Sequence, residues 1–184
     1  ISFDDFGLDI DDMGSILDNQ IKENKTSEQL IMFEYEKHKT GGYIIKKFTD
    51  TIETNIVVPD GVTEIGNSAF CDCSGLTSIT IPESVTQIGE RAFEGCSSLT
   101  SITIPNSVTE IGSGAFAGCS SLTSITIPNS VEWIGDSTFS GCRSLTNITI
   151  PSSTAEIGRR TFSGCSNLTS ITIPESVTSI GGYA

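Results

Sequence analysis

The chain has 184 residues, of which 36% are hydrophobic, and it carries a formal net charge of −13. Its length and apolar content suffice for a sizeable core. The acidic balance argues against nucleic acid as a partner and against docking on anionic lipid, since both need basic patches. No apolar run approaches the roughly 18–20 residues of a membrane-spanning helix.

Residues 1–29 follow no repeat. Aspartates crowd positions 4–12, and the apolar residues after them predict a short amphipathic helix over residues 13–22. Asp9, Asp11 and Gly14 match an EF-hand in part, but Gln20 stands where that loop requires a bidentate Glu. We therefore interpret the aspartates as an acidic helix start that complements the helix dipole, and we predict no metal site.

Residues 30–48 allow two interpretations. The alternation of Ile31, Phe33 and Tyr35, with a Thr-Gly-Gly turn at residues 40–42, predicts a β-hairpin. A helix over residues 27–39 competes, because Thr26 and Gln29 can form a capping box. Either element would cover the open apolar end of the repeat array, so residues 1–50 are predicted to form an N-terminal capping region.

Residues 51–184 repeat with a period of 23 residues. Leucine recurs at one place in the unit, all six prolines share another, and an Ile-Gly pair, a Phe and a Cys come after them at fixed offsets. Such a period indicates a solenoid, a propeller or a repeat array. About five and a half repeats are present. Because Ala184 stands one residue before an expected Phe, we expect the solenoid to be truncated at this end.

Each repeat predicts one coil. In residues 76–98, alternating isoleucines form a short strand that Pro82 ends, and a second short segment runs through Ile88 to a tight position at Gly89. Ala92, Phe93 and Cys96 have the spacing of one helical turn. Burying six apolar side chains at roughly 1.5–3 kcal/mol each does not offset the ordering of a whole unit at about 1–2 kcal/mol per residue. Stability must therefore come from stacking neighbours.

Some coils depart from the pattern. Thr stands at position 154, where other repeats have Val, and at positions 138 and 161, where others have Ala. A hydroxyl at these positions must find a hydrogen-bond partner if it is buried.

The phrase LxxIxIPxxVxxIGxxAFxxCxx, carried by residues 76–98 and 99–121 and repeated across residues 53–184, resembles the BspA-like leucine-rich repeat. The resemblance implies an α/β leucine-rich-repeat solenoid, a right-handed, strand-dominated horseshoe coil with an N-terminal helix and β-hairpin cap. It favours the hairpin for residues 30–48, because family members often carry a similar segment before the first repeat. Members are secreted or surface proteins of bacteria and of some mucosal protists, and are associated with adhesion.

No catalytic motif or cofactor site is predicted. The single histidine, His38, lies in or beside the predicted turn and is interpreted as a solvated loop residue. Five of the six cysteines form a column at the repeat period, and their side chains should point the same way. Buried free thiols packed like small hydrophobes are favoured over disulfides or a metal site.

Two features are candidates for partner binding. The outward residues of the main strand form a row of hydroxyl and amide side chains, and Trp133 stands where other repeats have Gln, Glu or Ser. The row comprises Ser78, Thr80, Ser101, Thr103, Ser124, Thr126, Asn147, Thr149, Ser170 and Thr172. Thr is also simply a good solvent-facing strand residue. Trp133 is either a binding hot spot or a partner for Arg159 or Arg160.

The favoured function is a non-enzymatic, extracellular or cell-surface leucine-rich-repeat module that binds a protein or glycan partner. The alternative is a structural spacer that displays other domains. An ice-binding array is a remote third hypothesis, because the threonines form a regular ladder.

Overall fold

The computed structural model describes residues 32–48 and 53–184, which form two β-sheets. The eight-stranded sheet contains Phe33–Lys37 (β1), Tyr43–Phe48 (β2), Val62–Ile65 (β4), Gln87–Ile88 (β6), Glu110–Ile111 (β8), Trp133–Ile134 (β10), Glu156–Ile157 (β12) and Ser179–Ile180 (β13). The five-stranded sheet contains Asn55–Val57 (β3), Ser78–Thr80 (β5), Ser101–Thr103 (β7), Ser124–Thr126 (β9) and Asn147–Thr149 (β11). The predicted helix over residues 13–22, the acidic opening and the boundary at residue 50 lie outside the described residues.

Equivalent residues of successive coils lie side by side. β7 pairs in parallel with β9, with Ile102 opposite Ile125, and β6 pairs with β8 through Ile88 and Ile111. Burial alternates along each strand of the five-stranded sheet, as in β9, where the central isoleucine is buried and its neighbours are exposed. The predicted strand-dominated solenoid of stacked coils is confirmed.

The predicted helical turn is wrong. The segment from Ala92 to Cys96 forms successive turns, and no helix occurs in residues 32–48 or 53–184. The N–H of Cys96 donates to the Phe93 carbonyl at 3.2 Å, whereas the N–H of Phe93 donates to Ala115 of the next coil at 2.8 Å. Because amide groups alternate between a local partner and the neighbouring coil, no run of helical hydrogen bonds can form.

A column of stacked rings runs through the core. Phe70, Phe93, Phe116, Phe139 and Phe162 lie with successive ring centroids 5.1–5.8 Å apart. Beside them the thiols of Cys96, Cys119, Cys142 and Cys165 each donate to the carbonyl of a Phe in the preceding coil at 3.1–3.2 Å. The prediction of buried free thiols is confirmed for the first three of these cysteines. Burial raises the pKa of Cys142 to about 12, so this thiol stays protonated at neutral pH.

The glycine of the Ile-Gly pair marks a very close approach between coils. A Cβ atom added at Gly112 would lie 2.5 Å from Glu90 N and 2.7 Å from the carbonyl carbon of Gly89. A Cβ atom added at Gly89 would lie 2.7 Å from Asn67 N, which confirms the tight position expected there. Neither glycine has a left-handed φ, so what the position requires is the absence of a side chain.

The hairpin interpretation is confirmed over residues 32–48, and the helix alternative is wrong for residues 32–39. β1 and β2 pair antiparallel, and β2 pairs in parallel with β4. The rings of Phe33 and Phe48 lie 6.0 and 5.4 Å from Phe70, so the hairpin covers the first aromatic ring of the column. His38 lies in the turn, where its Nδ1 hydrogen-bonds with Thr40 Oγ1 at 2.6 Å.

The three threonines that replace apolar residues are all buried. Thr138 donates to the Gly135 carbonyl at 2.8 Å, and Thr161 donates to the Gly158 carbonyl at 2.8 Å. The hydroxyl of Thr154 has no partner in the described part of the chain. Thr138 and Thr161 therefore have the hydrogen-bond partner expected for a buried hydroxyl, and Thr154 does not.

Candidate ligand-binding surface

The structure divides the threonines around the five-stranded sheet into two classes. Just before each strand, the hydroxyls of Thr77, Thr100, Thr123 and Thr146 donate to the carbonyl 23 residues earlier, at 2.9–3.4 Å. Within each strand, Thr80, Thr103, Thr126 and Thr149 are exposed. No hydrogen bond ties these four hydroxyls to another described residue. The first class links neighbouring coils, and the second faces solvent.

Seven of the predicted residues form one continuous surface, here called the hydroxyl face. It consists of Thr80, Ser101, Thr103, Ser124, Thr126, Asn147 and Thr149, all exposed on β5, β7, β9 and β11. Parallel pairing puts Ser124 between Ser101 and Asn147, and Thr126 between Thr103 and Thr149. Neighbouring strands lie about 4.8 Å apart, so the face presents two columns of uncharged donors and acceptors at that spacing.

The other predicted row residues depart from this surface. Ser78 is half-buried, and its hydroxyl donates to Asn55 Oδ1 at 2.6 Å. Ser170 and Thr172 are exposed but belong to no strand. A depression of about 300 Å³ opens between this last segment and β11, lined by Asn147, Thr149 and Pro174 among others.

Trp133 does not belong to the hydroxyl face. It lies on β10 in the eight-stranded sheet, and 44% of its surface is exposed. Stacking on Arg160 is not observed, because that guanidinium lies over the Tyr183 ring, 5.9 Å from the centroid. The backbone N–H of Arg159 donates to Asp136 Oδ1 at 2.6 Å. The predicted binding residues are therefore divided between two sheets.

Sequence analysis missed the neighbours of Trp133. Glu156 pairs with it directly, and Glu110 lies on its other side because Ile134 pairs with Ile111. The signal was present, since all three residues occupy one position of the 23-residue unit. The position was expected to face solvent, but the sequence did not show that the second segments of the coils form a sheet of their own.

Neither a candidate metal site nor a membrane-spanning helix occurs in the described residues. Within residues 32–48 and 53–184, His, Cys, Asp and Glu side chains form no group of three or more that could hold a metal ion. In the same residues, no helix has the length and hydrophobicity of a membrane span.

Comparison with known proteins identifies the repeat. The family model for the BspA type leucine-rich repeat region matches six copies, over residues 45–132 and 86–184. No curated protein matches the chain.

Several solved bacterial structures are similar to this chain. A leucine-rich repeat protein of T. pallidum shares 32% identity at a TM-score of 0.75, covering 82% of this chain and 79% of that one. A leucine-rich cell surface protein of Faecalibacterium prausnitzii shares 33% identity at a TM-score of 0.64, covering 82% of this chain and 49% of the other. A leucine-rich repeat protein of Bacteroides ovatus shares 34% identity at a TM-score of 0.62, covering 77% and 43%.

This chain therefore spans about half or less of the length of the last two relatives. The family model, by contrast, covers most of this chain, and the coils that it matches are those of the solenoid. The chain belongs to the BspA-type leucine-rich repeat family.

Proposed function

We propose that this chain is a non-enzymatic binding module of a bacterial cell-surface or secreted protein, and that it binds an extracellular protein or glycan through the hydroxyl face. Surface location is supported by the relative from Faecalibacterium prausnitzii, which is described as a leucine-rich cell surface protein. The observation that carries binding is the contrast between the two classes of threonine.

That contrast separates a scaffold from a ligand surface. A hydroxyl used to hold coils together donates within the chain, as Thr123 does to the Thr100 carbonyl at 3.3 Å. Thr126, three residues later on the same coil, leaves its donor and acceptor unused by the described chain. The same pattern recurs on β5, β7, β9 and β11. These strands can therefore form hydrogen bonds with a polar partner that need not be charged.

The two ligand classes fit the surface for one reason. Glycan hydroxyls and polar peptide groups both exchange hydrogen bonds with neutral donors and acceptors. The hydroxyl face contains no charged side chain, so the negative net charge of the molecule lies elsewhere.

The test is a binding screen of extracellular-matrix proteins and host glycans. It uses the wild-type chain, Thr126→Lys at the centre of the hydroxyl face, and Ser163→Lys as a control with the same change of charge. Ser163 is exposed on the turns between the two sheets, outside both. Binding that is lost in Thr126→Lys and retained in Ser163→Lys supports the proposal. If every bound ligand is retained by both variants, the proposal is wrong, and absence of binding favours the structural spacer.

A further inference from the structure

We propose that the face of the eight-stranded sheet around Trp133 is a second binding surface, and that its partner is a basic, extended segment of another protein. This proposal goes beyond the function proposed above, because it concerns the other sheet and a positively charged partner instead of a neutral polar one. It rests on the exposure of Trp133, on the carboxylates beside it and on their lack of a salt bridge with any described residue.

The exposure of Trp133 is not explained by its place in the fold. The other large exposed hydrophobic side chains of the described chain, Ile173, Ile180 and Tyr183, all lie in the last coil, which has no further coil to cover it. Trp133 lies in the interior of the sheet, with β8 on one side and β12 on the other. Coils stack on both sides of it, and 44% of its surface still faces solvent.

The indole is held in place from below. Its Cη2 atom lies 3.0 Å from the position that a Cβ atom would take on Gly135, so the ring lies over that glycine. A ring supported in this way loses little freedom when a ligand packs on it, which makes it a suitable anchor for a partner.

The residues beside the ring are carboxylates without cationic partners. Glu110 and Glu156 flank Trp133 on the neighbouring strands, and both are exposed. The side-chain ion pairs of the described chain are Lys46 with Glu36 and Arg91 with Glu94, so neither flanking glutamate is neutralised there. An aromatic face beside uncompensated carboxylates recognises a guanidinium or ammonium group through cation–π attraction and charge-assisted hydrogen bonds.

The spacing favours an extended chain over a single small cation. Glu110 and Glu156 are two strands apart, about 9.6 Å at the ordinary strand separation. A polyproline II chain is extended, rises about 3.1 Å per residue and brings every third side chain to the same side, about 9.3 Å apart. Cations at every third residue of such a chain can therefore meet both carboxylates, with a further contact at the ring between them. Glu64 continues the same outward column toward the hairpin, because it pairs with Gln87, which pairs with Glu110.

The test uses a labelled nonapeptide with arginine at every third position and serine elsewhere. The control peptide carries neutral citrulline in place of arginine. Trp133 is the only tryptophan of the chain, so its fluorescence reports on this site alone. We expect a saturable change in its emission with the arginine peptide, and peptide anisotropy gives the affinity of variants that lack the fluorophore.

The decisive variant is Trp133→Gln, because Gln87 occupies the same position in another coil and the net charge is unchanged. We expect its affinity for the arginine peptide to fall about tenfold, the size of a well-placed cation–π contact. Glu110→Gln should also weaken binding, whereas Glu83→Gln, an identical charge change in a turn after β5, should not. Circular dichroism verifies that each variant is folded.

Three results would overturn the proposal. They are equal affinity of Trp133→Gln and the wild-type chain, equal losses from Glu83→Gln and Glu110→Gln, and equal binding of the citrulline peptide. Thr126→Lys, on the opposite sheet, distinguishes this proposal from the proposed function. It should abolish binding of the extracellular ligand and leave binding of the arginine peptide intact.

Discussion

Replacing Gly112 with alanine should separate two coils of the solenoid. The added Cβ atom would lie 2.5 Å from Glu90 N, 2.7 Å from the Gly89 carbonyl carbon and 2.8 Å from Glu90 Cα. All three are backbone atoms, which cannot rotate away as the end of a side chain can. Reaching ordinary contact at 3.4 Å requires a local displacement of about 0.9 Å, the difference between 3.4 and 2.5 Å.

Such a displacement disturbs the amide ladder and the packed core together. Gly112 N donates to the Ile88 carbonyl at 2.8 Å, and the adjacent Ile111 is buried. Overpacking of this kind costs about 1–3 kcal/mol, and contact with three backbone atoms places Gly112→Ala at the upper end. For a chain of this size, about 3 kcal/mol lowers the thermal midpoint by about 6–12 °C.

The assay is thermal unfolding followed by circular dichroism, with two further glycines for comparison. At Gly135 the nearest atoms lie farther from the added Cβ, Trp133 Cη2 at 3.0 Å and Ser113 Cα at 3.2 Å, so Gly135→Ala should cost less. At Gly182 nothing lies within 4 Å, and Gly182→Ala should leave the midpoint unchanged. Equal midpoints for Gly112→Ala and Gly182→Ala would refute the account of why the Ile-Gly pair recurs.

Three further predictions concern stability. Thr154→Val removes a buried hydroxyl without a partner and restores the residue found in other coils. It should raise the free energy of unfolding in urea by about 1–3 kcal/mol. An unchanged free energy of unfolding would mean that the hydroxyl has a hydrogen-bond partner. Ser137 has a φ of 57°, which is a left-handed conformation. Ser137→Gly should therefore relieve about 1 kcal/mol of backbone strain and raise the thermal midpoint. A lower midpoint would contradict this. Burial raises the pKa of Cys73 to about 11 and of Cys142 to about 12, from 9.0. Above about pH 9 the unfolded chain therefore loses these protons before the folded chain does, so the thermal midpoint should fall as the pH rises from about 9 to 12. The fall should be less steep in Cys142→Val, and equal slopes would contradict the thiol assignment.

The repeat period made most of the fold predictable. Because Ile102 and Ile125 occupy one position of the unit, stacking in register follows from the sequence, and with it the two faces of each strand. The hairpin was predictable from alternation around its turn, once the resemblance favoured it over a helix. The absence of a helical turn was not predictable, because the spacing of Phe93 and Cys96 suits both a helix and successive turns. What excludes the helix is the hydrogen bond from the Phe93 N–H to the Ala115 carbonyl of the next coil.

The candidate surfaces were predictable as residues but not as an arrangement. The outward position of Thr126 followed from alternation within its strand. That Trp133 faces away on a different sheet did not, because the relative placement of the two short segments depends on turns whose geometry the repeat pattern leaves open. The division of threonines into those that donate to the preceding coil, such as Thr123, and those that do not, such as Thr126, likewise required coordinates.

The most direct measurement is a lysine scan of the hydroxyl face against the tightest ligand from the screen. Surface plasmon resonance would compare Thr80→Lys, Thr103→Lys, Thr126→Lys and Thr149→Lys with the Ser163→Lys control. If the face binds the ligand, affinity falls for adjacent members of the column and stays at the wild-type value in the control. Equal affinities across all five variants would contradict the central claim that these unpaired hydroxyls form the binding surface.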